Sequence, residues 1–234
     1  MNEEEEEEHN GQKTAEFATL GILRVEGPDT AEALAERVAA EVDAWVRDVP
    51  GFLGWRFQVS LDGTTVVNHG LWTGRAHYHE GFVNHPAVEP LRDLAHRPGV
   101  LGATVRTGTA APGLTGPSAD RPPGIVAVAT RHLGGHDAAR GVLALLAASA
   151  EWKHHLPGFI SAAPYLSEDG RTFMNYPMWV DEAAYRRWMS DPRISEGQEE
   201  IARLETAVGV PGVRGDRSRH RPHRPPKYEV RAAI

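Results

Sequence analysis

The chain has 234 residues, with 25 Lys and Arg against 32 Asp and Glu, a formal net charge of −7, and no cysteine. Its 41 % hydrophobic and 24 % charged content is that of an ordinary soluble globular protein, long enough for one large or two small domains. The missing cysteine excludes disulfides, thiolate nucleophiles, iron–sulfur clusters and cysteine zinc sites. No apolar run approaches the roughly 18 residues of a membrane span, and Glu3–Glu8 is the opposite of a signal peptide, so a reducing cytoplasm is the expected location.

In chain order, residues 1–16 read as an acidic tail. Phe17–Val25 is a β-rich run that ends at the turn Glu26-Gly27-Pro28. Asp29 or Thr30 then caps a helix whose Leu34, Val38, Val42 and Trp45 form one apolar stripe, and Pro50-Gly51 stops it. Phe52–Ser60 and Thr65–Trp72 flank the turn Asp62-Gly63 as a hairpin. A broken helix follows from about Arg75, interrupted near Pro86, and Val100–Thr107 is a fourth strand. Residues 109–123, rich in Pro and Gly, read as a linker. A second series follows: a strand at Ile125–Leu133, a helix at His136–His155, and a hairpin of Phe159–Ser167 with Thr172–Val180. A helix then runs from Asp181, broken at Pro192, to about Ala207, and a poorly marked strand lies near Val208–Val213. Residues 216–234 are a basic tail without interleaved aromatics on an acidic body, so no nucleic-acid partner is expected.

The two series are one unit written twice. Between Trp45–His79 and Trp152–Arg186, without a gap, the identities are Trp45/Trp152, Pro50-Gly51-Phe52/Pro157-Gly158-Phe159, Ser60/Ser167, Asp62-Gly63/Asp169-Gly170, Thr65/Thr172, Asn68/Asn175, Trp72/Trp179, Ala76/Ala183 and Tyr78/Tyr185. The order β-α-β-β-α-β is the ferredoxin-like split unit. One such sheet, with both helices on one face, leaves the other face bare. Repeats at 17–108 and 124–215 can cover each other's bare face. The predicted fold is α+β: two ferredoxin-like repeats forming an intrachain dimeric α+β barrel.

Asn68 and Trp72 lie four apart on a strand, so they share a face about 13 Å apart along it. An amide, an indole N–H on an apolar slab and the Tyr78 hydroxyl make a wall suited to a flat phenolic molecule. Repeated Trp and Asn can equally be core packing with a capping hydrogen bond, and Trp45, Trp152, Phe52 and Phe159 read as core. His77, His79 and His85 cluster after Trp72, but spacings of two and six do not share one helical face, which disfavours a metal site. His77 or His79 could serve as a base or contact substrate.

Pro-Gly-Phe, then Ser-x-Asp-Gly, then a strand with Asn-x-x-x-Trp and a helix with Tyr resembles the antibiotic biosynthesis monooxygenase family, over most of residues 17–213. The resemblance implies dimeric α+β barrels that oxidise anthrone-type aromatic polyketides to quinones with O₂ and no bound metal or prosthetic group. Tandem relatives open angucycline-like rings, some supplied with reduced flavin by a reductase. It also implies site residues: the strand Asn, the Trp four on, a Tyr six beyond and an Arg about twenty beyond. The first repeat matches throughout with Asn68, Trp72, Tyr78 and Arg92, the implied catalytic set. The second keeps Asn175, Trp179 and Tyr185 as substrate contacts but has Glu199 at the Arg position, flanked by Arg193 and Arg203, and carries Pro177, which suggests an edge or bulge. If one pocket works, the first is favoured. The implied partner is a small aromatic polyketide, with no membrane partner, and the assembly is a monomeric pseudo-dimer or a homodimer. A polyketide cyclase or isomerase, or a non-catalytic ligand-binding protein, remains the alternative.

Overall fold

Strands such as Phe17–Val25 and Thr65–Trp72 bury neighbouring residues that point to opposite faces, which requires two cores, one on each face of a sheet that closes on itself. The computed structural model describes residues 15–205 and 228–232. The first repeat contributes β1 (Phe17–Val25), β2 (Phe52–Ser60), β3 (Thr65–Trp72) and β4 (Val100–Ala110). After the short β5 (Leu114–Thr115), the second contributes β6 (Ile125–His132), β7 (Phe159–Leu166), β8 (Thr172–Trp179) and β9 (Tyr228–Ala232). The order is β4-β1-β3-β2 in one repeat and β9-β6-β8-β7 in the other, the same arrangement twice.

The repeats are stitched by exchange of their last strands. β9 pairs with β2 through Gln58↔Ala232, Val59↔Arg231 and Ser60↔Val230, while β4 pairs with β7 through Thr109↔Leu166 and Ala110↔Tyr165. Both junctions are antiparallel, and together they close the barrel and remove the edges that either sheet alone would expose.

Several expectations change in detail. The stretch 109–123 is not a featureless linker, because β5 pairs with β7 through Leu114↔Ala162 and Thr115↔Ser161. The strand expected near Val208–Val213 lies outside the described residues. Its place beside β6 is taken by β9, which falls within the basic tail. The first helix, Pro28–Ala44, starts two or three residues earlier than an Asp29 or Thr30 cap would set it: Gly27 is its N-cap and Pro28 its first residue, where a missing N–H costs nothing. Pro177 occupies neither an edge nor a bulge. β8 lies between β6 and β7, and its ladder to β6 is interrupted between Val126↔Met178 and Ala129↔Asn175 without a change of register.

On the outer face of the first sheet, Phe17, Leu23, Val66 and Trp72 pack under the helical stripe Ala31, Leu34, Val38 and Val42. On the inner face, Leu20, Ile22 and Val67 meet Val126, Val128, Met174 and Tyr176 of the other repeat. The indole of Trp72 sits within 5.2–5.5 Å of the rings of Phe52, Tyr78 and Phe82. Trp72→Ala should therefore cost about 3–5 kcal/mol, seen as a lower midpoint in urea unfolding with an unchanged slope.

His69 faces inward and is 1 % exposed. Burial, helped by the nearby Arg56 charge, pushes its pKa down from 6.5 to about 3. The unfolded chain therefore takes up a proton that the folded chain refuses as pH falls below 6.5. Stability is full above that pH and is lost towards pH 3, by up to about 5 kcal/mol for this one group. Urea midpoints of wild type and His69→Leu, compared across this window, should diverge in slope by that single proton. Parallel pH profiles would refute it.

Candidate functional site

Alternation places Asn68 and Trp72, and likewise Asn175 and Trp179, on the helix-covered outer faces rather than inside the barrel. In each repeat the Asn Oδ1 and the Trp Nε1 are buried without a hydrogen-bond partner. Buried polar atoms rarely go unpaired. The same two orphans recurring in both copies mark a wall built for something other than core packing.

In the second repeat that wall borders open space. A cavity of about 350 Å³ lies between β6, β8 and the helices, bordered by Phe173, Asn175, Tyr185, Trp152, Trp188 and Lys153. A small void of about 30 Å³ continues from Asn175 and Lys153 to Trp179 and Phe159. Pro177 lines both spaces. The helix Glu182–Met189, capped by the Asp181 carboxylate accepting from the Ala184 N–H at 2.7 Å, holds Tyr185 over Trp179 at 5.0 Å and sets Trp188 against the same indole at 4.8 Å. The helix Pro192–Leu204 carries Arg193, whose guanidinium lies 4.2 Å from the Trp152 ring and bonds the Asp191 carboxylate. Arg131, another lining residue, is paired with Glu205 at 2.8 Å.

Lys153, which the sequence reading did not single out, supplies the titratable group. Burial pushes its pKa from 10.5 to about 8. A fraction of its amine is thus neutral, and basic, near neutral pH. The signal that marks it is internal: 107 residues earlier the aligned residue is Val46, a core residue 2 % exposed. A lysine where the other copy buries a valine is out of place for packing.

The first repeat, favoured by its motif match, is packed with rings. Trp45 stacks on His85 at 4.2 Å and on Phe82 at 5.5 Å, and Phe82 also stacks on Tyr78 at 5.5 Å. The segment His77–Val83 winds as a π-helix, wider than the α-helix at the matching place in the second repeat. Burial raises the pKa of Tyr78, and the Arg92 charge opposes that rise. Arg92 itself is half-exposed, donating to the Val83 carbonyl at 2.5 Å and to Glu89 at 3.2 Å. The expected substrate contacts His77 and His79 are both exposed, and His77 Nδ1 lies 3.0 Å from the Thr73 hydroxyl. The structure thus brings Asn175 and Tyr185 to the cavity and Trp179 to the small void beside it, and it turns His77 and His79 towards solvent. Glu199 is exposed, and of the two arginines that flank it in sequence Arg193 reaches the cavity.

Other shared motif residues are architectural. Gly51 and Gly158 adopt φ of 81° and 83°, and an added Cβ would come 2.4 Å from the His77 ring and 2.5 Å from Ala184. The Pro-Gly-Phe turn is thus the place where the following helix packs against the hairpin. Ser60 and Ser167 donate to Asp62 and Asp169 at 2.6 Å, fastening the two hairpin turns.

A family model described as antibiotic biosynthesis monooxygenase matches residues 127–200. The chain is 48 % identical over 40 residues to the tetracenomycin-F1 monooxygenase of Streptomyces glaucescens, a match spanning 17 % of this chain and 36 % of that relative's length. It is 33 % identical to a monooxygenase from the gene ActVA-Orf6 of Streptomyces coelicolor, solved with Nanaomycin D, over 42 % of this chain and 89 % of that one, with a TM-score of 0.40. An anthrone oxidase-like protein shares the fold across 95 % of this chain and 93 % of its own, with a TM-score of 0.69 at 13 % identity. No described helix is long and apolar enough to cross a membrane.

Proposed function

Because the chain belongs to the antibiotic biosynthesis monooxygenase family, we propose that it is an O₂-dependent oxygenase tailoring an anthrone- or angucycline-like aromatic polyketide in the cavity of its second repeat. The observation that carries this reading is the cavity of about 350 Å³ bordered by Asn175, Lys153, Trp152, Trp188 and Phe173. Its size falls within the range of about 300–1,000 Å³ typical of small-molecule sites, and its surface is a polar edge on an aromatic box.

In this reading, the tricyclic body lies between the Trp152 and Trp188 sides, and Asn175 and Trp179 donate to its phenolic or carbonyl oxygens. The neutral amine of Lys153 takes a proton from the activated ring carbon. The resulting anion is stabilised by the donors in a site that excludes water. It passes an electron to O₂, and the radical pair joins as a C–O bond. The peroxide takes back the proton held by Lys153, and the O–O bond then breaks as the second C–H proton leaves, so that proton and the departing hydroxide form one water and the quinone carbonyl remains. One oxygen atom ends in the product and one in water, and the two C–H bonds broken supply all four electrons. Oxidative ring opening needs a further electron pair, for which reduced flavin delivered by a reductase is the fitting donor.

The reading is tested with an oxygen electrode and a dihydroxyanthrone. One O₂ should disappear per quinone formed, at a rate well above the uncatalysed background. Turnover of a polyketide without O₂ uptake would place the protein among cyclases or isomerases instead.

A further inference from the structure

A chamber of about 440 Å³ opens at one end of the barrel, between the two sheets rather than behind them. Its lining includes Arg56 at the mouth and His69, Tyr165 and Tyr176 within, against Leu71 and Met178. Arg56 stands directly opposite His69 on neighbouring strands. Its charge reaches all three inner rings, opposing protonation of His69 and easing ionisation of Tyr165 and Tyr176. Among the described residues no Asp or Glu lines the chamber to offset this cation. Both ring nitrogens of His69 are buried without a partner, as is Gln58 Oε1, while Gln58 Nε2 donates to the Tyr176 hydroxyl.

We propose that this chamber is a second ligand site, separate from the cavity behind β8, that takes a small aromatic hydroxy-acid anion. The carboxylate meets the Arg56 guanidinium at the mouth, where Arg56 Nη1 lies 3.8 Å from the weak acceptor Met178 Sδ and the side chain also hydrogen-bonds Tyr176. The ring lies on the aromatic and thioether surface, where His69 and Tyr176 already pack at 4.2 Å and Tyr165 stands edge-on to His69 at 5.7 Å. The hydroxyl reaches His69, whose neutral imidazole offers one donor and one acceptor, both unsatisfied. The repeats diverge at this very place: Arg56, Gln58 and His69 align with Ala163, Tyr165 and Tyr176. The first copy thus brings a cation, an amide and an imidazole to the places where the second has a methyl group and two phenols. The proposal does not depend on the oxygenase reading.

The test titrates para-hydroxybenzoate into the full chain carrying isotope-labelled histidine rings at neutral pH. The ring signal missing from the His69→Leu spectrum should shift saturably, and neutral para-hydroxybenzyl alcohol should bind about tenfold more weakly or worse. Arg56 is exposed, so Arg56→Gln should fold normally, weaken the acid by about tenfold or more and abolish the preference for acid over alcohol. Asn175→Ala should leave the affinity for the acid unchanged. Equal binding of acid and alcohol, indifference to Arg56→Gln, dependence on Asn175, or no saturable shift of the His69 signal would each overturn the proposal.

Discussion

Asn175→Ala should slow quinone formation from a hydroxyanthrone by about 100- to 1,000-fold, the usual loss when one donor to a developing oxyanion is removed. The matching substitution in the other copy, Asn68→Ala, should leave turnover within about threefold, because it removes no such donor from the proposed cavity. Both side chains sit at the same strand position with the same orphaned oxygen. The pair therefore separates a role in the motif from a role in the cavity. The change should fall mainly on kcat, since the interaction strengthens as charge moves onto the substrate oxygen. Trp179→Phe, which keeps the ring and removes only the N–H, should show a smaller loss of the same kind. Equal losses from Asn68→Ala and Asn175→Ala would mean that both repeats turn over substrate.

Lys153→Met should cost about 10²–10⁴-fold, the range for a lost general base, and should also erase a limb of the pH profile. In the wild type the neutral amine is the active form. The rate should rise tenfold per pH unit below about 8, where burial places the Lys153 pKa, and level off above it. The methionine variant keeps most of the packing and loses the base, so its slower rate should be flat across that window. Circular dichroism and the urea midpoint distinguish this from misfolding. A variant that keeps the same rising limb would assign the proton transfer to another group.

Much of the fold was legible because duplication writes each constraint twice. Strand bounds such as Phe17–Val25, Phe52–Ser60 and Thr65–Trp72 follow from alternation between clear turn signals. The fourth strand of the second repeat did not: Tyr228–Ala232 alternates apolar and polar residues over only 5 positions, at the end of a basic, Pro-rich stretch. It forms by pairing with β2 and β6, both far away in sequence. The motif alone does not choose between the repeats, for a packing reason. Asn, Trp, Tyr and Arg in register describe a wall, but Phe82 and His85, which fill the space before it in the first repeat, stand outside that motif. Arg92 has the expected spacing, yet the short helical turns after Pro86 carry it out to solvent. Conversely, Lys153 and His69 were legible only as differences between copies. Val46 and Tyr176, their counterparts, show that both positions are buried, and a titratable side chain at a buried position needs a reason.

Everything turns on which of two near-identical walls holds the substrate. A crystal structure of the full chain with an anthraquinone product bound answers this directly. Density for the ring system against Asn175, Lys153 and Trp188, with a quinone oxygen within hydrogen-bonding reach of the Asn175 amide, is the predicted result. The same ligand seated against Asn68 and Trp72, with the second cavity left unfilled, would contradict it.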